Sequence, residues 1–157
     1  MRVSGMGPGE FREAYKPEKI VIFGAMCGDG TGENGGGVKA MYGVQGNVWV
    51  KGPMMGKAKI EINGVGVGGD LVVQGTMTDD ASIFIDAGGG VRNLIVQAEM
   101  SGNAKITVVG EVSGSITVAS MSGNAKIEAG SCTKPGGKPA TKTGTITGSA
   151  AITGTGC

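Results

Sequence analysis

The chain has 157 residues, enough for one domain with a core, and 33 of them are glycine, roughly three times the usual share. Aromatic residues make up 4% and charged residues 17%, histidine is absent, and 14 basic residues nearly balance 13 acidic ones for a net charge of +1. This excludes the strongly basic field of a nucleic-acid binder, every histidine-dependent catalytic machinery and a core built on large rings.

Residues 1–19 carry no repeat and are expected to form a cap or arm, with a short helical turn at Glu10–Tyr15 before Pro17. Met1 to Glu10 contains no apolar run of the kind found in a secretory signal, and no segment reaches the length of a membrane-spanning helix. The expectation is therefore assembly in the cytoplasm or in a virion rather than as an extracellular fibre.

The repeat begins near residue 20. Ile20-Val-Ile22 stands before Met26 as Val48-Trp-Val50 stands before Met54, 28 residues later. The glycine-rich stretch Gly28–Gly37 between them absorbs the extra length. It is read as a surface loop, because it lacks the Gly-Lys-Ser/Thr ending and the following helix of a phosphate-binding loop.

From there the register is regular. Val44-Gln-Gly46-Asn-Val48-Trp-Val50 is echoed at Val67–Val73 and Val112–Val118, and more loosely at Gly90–Val96. Methionine recurs at Met54, Met77, Met100 and Met121, and alanine follows four residues later at Ala58, Ala81, Ala104 and Ala125. Each alanine opens an alternating strand, such as Ala104-Lys-Ile106-Thr-Val108. The hexapeptide Ser-Gly-Asn-Ala-Lys-Ile appears at both 101–106 and 122–127.

Side chains that return in register every 22 or 23 residues predict an all-β, single-chain β-solenoid over residues 20–130. Stacked coils turn equivalent positions into ladders, with methionine and alanine inside and glycine at the corners. A Greek-key or jelly-roll sandwich is the competing architecture, but it has no need of such a register.

Residues 131–157 are expected to be a separate glycine- and threonine-rich tail after the turn-rich linker Lys134–Pro139, strand-like but too poor in large side chains to hold itself down. The cysteines Cys27, Cys132 and Cys157 are odd in number and widely spaced. They are read as reduced thiols, with an intersubunit disulfide from Cys157 as the alternative.

The outward positions of the alternating strand are largely polar. On the other strand, placing Val48, Leu71, Leu94 and Ile116 inward leaves Trp49, Val72, Ile95 and Thr117 in one outward stripe. Together with Phe84 these are the candidate interface residues. The stripe calls for a cover, either a second copy or the chain's own terminal segments. Asp70, Asp79, Asp80 and Asp86 are the only grouped carboxylates; corner positions favour ordinary turn roles, with Asp79 and Asp80 as weak calcium candidates. No cofactor is expected.

The recurring Val-x-Gly-x-(apolar)-x-Val unit, over residues 44–129, resembles the repeat of the bactofilins. That resemblance implies a β-helix that polymerises and has no enzymatic role, although the unit here is longer and its methionine ladder is not part of that pattern. The sequence thus predicts a non-enzymatic structural protein. It would assemble with copies of itself, or with other structural proteins, into a filament or a virion component, with no nucleic-acid partner. A carbohydrate-binding or polysaccharide-cleaving β-helix is the alternative.

Overall fold

The computed structural model describes residues 1–29, 36–86, 89–134, 138–139 and 142–157. These residues form an all-β solenoid of about six turns, with a spacing near 23 residues and no helix. Numbered in chain order, the first sheet contains β1 (Arg2–Val3), β3 (Ile20–Ile22), β6 (Val48–Val50), β9 (Leu71–Val73), β11 (Leu94–Met100), β13 (Ile116–Met121) and β17 (Lys142–Ile146). The second sheet contains β2 (Phe11–Ala14), β5 (Gly37–Ala40), β8 (Lys59–Ile62), β10 (Ser82–Ile85), β12 (Lys105–Glu111), β14 (Lys126–Ser131) and β18 (Ala151–Thr155). A short third side pairs β4 (Met26–Gly28) with β7 (Met54–Gly56).

All pairing within these sheets is parallel, turn upon turn. Val48 N–H donates to Asp70 O, Leu71 N–H to Asn93 O and Leu94 N–H to Ser115 O, each at 2.9 Å. The backbone of one turn thus finds its partners in the next, which is why the chain needs exact repetition and not large side chains.

The interior is built from the predicted ladders. Met54, Met77, Met100 and Met121 are fully buried, as are Ala58, Ala81, Ala104 and Ala125. The methionine column also extends upstream through Met26 to Met6, joined by backbone bridges. Unbranched methionine side chains suit a narrow interior, because their three torsions let each fill the gap left by its neighbour. On the second sheet Val38, Ile60, Ile83, Ile106, Ile127 and Ile152 form one inward column.

The corner between the methionine side and the second sheet is a tight turn repeated five times. The N–H groups of Ala58, Ala81, Ala104, Ala125 and Ala150 donate to the carbonyls of Met55, Thr78, Ser101, Ser122 and Thr147 at 3.2–3.4 Å. The residue after each of those carbonyls adopts a left-handed conformation. It is Gly56, Gly102, Gly123 and Gly148 in four turns, and Asp79 (φ 59°) in the fifth. Glycine carries no Cβ to oppose that conformation, and aspartate is among the few other residues that tolerate it.

Three expectations from the sequence are corrected. Residues 1–19 are not outside the repeat, because Arg2 and Val3 pair with Val21 and Ile22, and Phe11–Ala14 pair with Gly37–Ala40. The segment expected to make a helical turn is therefore β2, held extended by the turn beside it.

The tail is strand-like, as expected, but it is not a separate segment. Thr117 pairs with Thr143 and Ile127 with Ile152, so β17 and β18 close the stack. The linker contributes the antiparallel pair β15 (Thr133–Lys134) and β16 (Lys138–Pro139). Finally, Cys132 and Cys157 are joined by a disulfide within the chain, while Cys27 is a free thiol. Cys132 takes the place that Val67, Val91 and Val112 hold in earlier turns, and Thr155 accepts its N–H. Most of the Gly28–Gly37 loop, residues 30–35, lies outside the described residues.

Candidate interaction face

The two broad sheets present different outer surfaces. The second sheet is wet. Lys59 Nζ lies 2.8 Å and Lys39 Nζ 3.4 Å from the Glu61 carboxylate, and Lys105 Nζ lies 2.7 Å from Glu128. The Lys59 hydrogen bond holds the Glu61 carboxyl below its ordinary range. Phe84 sits half-buried on this sheet, in a shallow depression among Lys59, Glu61 and Lys105. It therefore does not share a surface with the other candidate interface residues.

The first sheet carries the stripe. Ile20, Val48, Leu71 and Leu94 are fully buried, which fixes the register and points the alternate residues outward. Cross-turn pairing aligns Arg2, Val21, Trp49, Val72, Ile95 and Thr117 in one row. Val21 and Val72 are shielded to 7% and 9% exposure by their neighbours, Trp49 and Ile95 are half-buried, and Thr117 is exposed. Four consecutive turns are thus apolar on both faces, over roughly 15 Å of axis at about 4.8 Å per turn. The terminal segments expected as an alternative cover are taken up as coils of the stack.

At its amino-terminal end the stripe meets a cluster that the sequence did not reveal. Met1, Arg2, Lys19, Val21, Phe23, Trp49 and Lys51 line a shallow depression of about 420 Å³. Phe23 is 41% exposed. The Arg2 guanidinium lies 4.5 Å and Lys51 Nζ 5.0 Å from its ring centre. Among the described residues, no carboxylate forms an ion pair with Arg2, Lys19 or Lys51. On its other side Trp49 borders a second depression with Glu18, Lys19, Gln45 and Asn47. These residues are distant in sequence and converge only through stacking; the aromatic at 23, beside the strand, was the available signal.

The carboxylates singled out earlier are dispersed among structural partners. Asp70 is bidentate with Arg92 (2.9 and 3.0 Å) and accepts from Asn93 Nδ2. The Arg92 hydrogen bonds hold its carboxyl below the ordinary value. Asp79 accepts from the Gly56 N–H at 3.0 Å, and Asp80 from Asn103 Nδ2, also at 3.0 Å. Asp86 directly follows β10, the central strand of the second sheet, and its N–H donates to Ile62 O. Among the described residues no three acidic, cysteine or histidine side chains gather as a metal site.

The two ends of the stack differ. Arg12 occupies the first position of the inward column that continues as Val38, Ile60 and Ile83, yet it is exposed, and its guanidinium donates to Phe11 O. Ile152 holds the same column position in the last turn and is 8% exposed. No protein-family model matches the chain, and neither a curated protein nor a solved structure is detectably similar to it.

Proposed function

We propose that the chain is a non-enzymatic structural unit that assembles side by side with copies of itself through the outer face of the first sheet. The observation that carries this reading is the Val21–Trp49–Val72–Ile95 row. Parallel strands that are apolar on both faces are ordinarily covered on both. A flat, repeating stripe suits a two-fold contact in which each copy offers the same row to the other. Centring that contact on Val72 and Ile95 places the tryptophan near the middle and the charged ends at the rim.

Side-by-side contact is favoured over end-to-end stacking by Arg12. A coil docked on the first turn would bury its guanidinium over the inward column without a carboxylate, which is costly. The scatter of the carboxylates among arginine, amide and backbone partners, together with the absence of histidine, favours a structural role over a hydrolytic or lyase one.

Sedimentation velocity across a concentration series tests this. Wild-type chain is expected to associate, and Trp49→Asp to weaken association by about thirtyfold, the effect of losing a central interface anchor worth about 2 kcal/mol. A wild-type monomer at all concentrations, or an undiminished association of Trp49→Asp, would overturn the proposal.

A further inference from the structure

We infer that the depressions on either side of Trp49 form a binding site for an acidic polysaccharide. This does not rest on the assembly reading: the two share Trp49, so a bound polysaccharide and a second copy compete for that face. The inference starts from charge. Arg2, Lys19 and Lys51 converge on one depression, and no carboxylate among the described residues pairs with any of them. In a chain whose total charge is +1, and whose second sheet pairs Lys39, Lys59 and Lys105 with glutamates, this is a local excess of positive charge. Its natural complement is an anion.

The second observation is the aromatic floor. Trp49 is half-buried, and the exposed Phe23 ring lies within 5.0 Å of two cations. An indole held by its strand offers a rigid apolar platform at little entropic cost, matching the C–H face of a pyranose ring. The third is the polar rim. Gln45 and Asn47 border the depression on the far side of Trp49. Asn47 Oδ1 already accepts the Asp70 N–H, which leaves its Nδ2 to donate to a sugar hydroxyl, while the Gln45 amide can both donate and accept.

Gln45, Asn47, Trp49 and Lys51 follow one another along β6 and its flanks, with Lys19 bordering both depressions, so amides, aromatic platform and cations lie along one strand direction. A chain with hydroxyls and carboxylates on successive rings would meet all three. A nucleic acid fits less well. Its backbone calls for a continuous basic track, whereas here Arg2, Lys19 and Lys51 span only the first three turns.

Trp49 is the only tryptophan, so its fluorescence reports occupancy directly. The protein is titrated with oligogalacturonate, with neutral dextran of similar length, with a thymidine oligonucleotide and with anionic phospholipid vesicles. Oligogalacturonate is expected to shift the Trp49 emission saturably, to bind more weakly as salt rises, and to lose about tenfold in affinity in Lys51→Gln and in Lys19→Gln, roughly one charge-assisted contact each. Dextran is expected to bind at least tenfold more weakly. Phe23→Ala, read by the same fluorescence, is expected to weaken binding while leaving the circular dichroism unchanged. The inference is overturned by an absence of oligogalacturonate binding, by equal binding in the lysine variants, or by tighter binding of the oligonucleotide or the vesicles.

Discussion

Reducing the Cys132–Cys157 disulfide should loosen the last turn and leave the others intact. The two cysteines are separated by 25 residues, so the bond closes a loop that contains both β17 and β18. Chain-entropy bookkeeping for a loop of this size gives about 3.5 kcal/mol at 25 °C, as an upper value. The turn has little else to hold it. Among the described residues, Ile152 is its one well-buried large side chain, and Ile146, in the methionine column, is 41% exposed.

Each turn of a solenoid contacts only its neighbours, so stability is a sum of local terms. Hydrogen exchange with and without reductant, or in Cys157→Ser, resolves this by strand. The β17 and β18 amides should lose up to about two and a half decades of protection, while β6, β8, β9 and β10 keep theirs. Unchanged protection in the last turn would refute the local argument. An equal loss throughout the stack would refute the nearest-neighbour picture of its stability.

Other perturbations probe other parts. Ile83→Asp places a carboxylate between Ile60 and Ile106, where the native side chain is 1% exposed. A loss of more than about 4 kcal/mol is expected in urea denaturation, and a wild-type midpoint would contradict the register. Arg12→Val continues the inward column to an open end, so light scattering should detect larger, end-to-end species; an unchanged size would remove Arg12 as a blocking charge.

Because Arg92 lowers the folded-state pKa of Asp70, their pairing stabilises the fold above the ordinary aspartate value of about 4 and is lost as pH falls through the lower folded value. The stability difference between wild type and Arg92→Ala should therefore be constant near neutral pH and shrink in acid. A difference independent of pH would show that the arginine acts by packing alone.

What the sequence made legible was whatever repeats with period 22 or 23. The methionine, alanine and Val48–Leu71–Leu94–Ile116 ladders all stand where the spacing put them, because an in-register stack converts sequence period directly into spatial column. What stayed hidden is what breaks the pattern. Phe11–Ala14 carries Arg12 in an inward position, so its alternation is inverted and it does not resemble a strand of this sheet. The tail has small residues where other turns have isoleucine and valine, and composition alone suggests a loose segment. Backbone pairing to the preceding turn and one disulfide hold it regardless of side-chain size. The cysteine pairing was invisible because two cysteines 25 residues apart meet only if the chain completes one more turn. Likewise, Arg2, Lys19, Phe23 and Lys51 gather around Trp49 because three turns bring them together, which whole-chain charge counting averages away.

The most direct test of side-by-side assembly is negative-stain electron microscopy of the wild-type chain, with Trp49→Asp prepared in parallel. Paired particles, with solenoid axes lying alongside one another and absent in the variant, are the predicted result. Single particles in both samples, or filaments elongated along the solenoid axis, would contradict it.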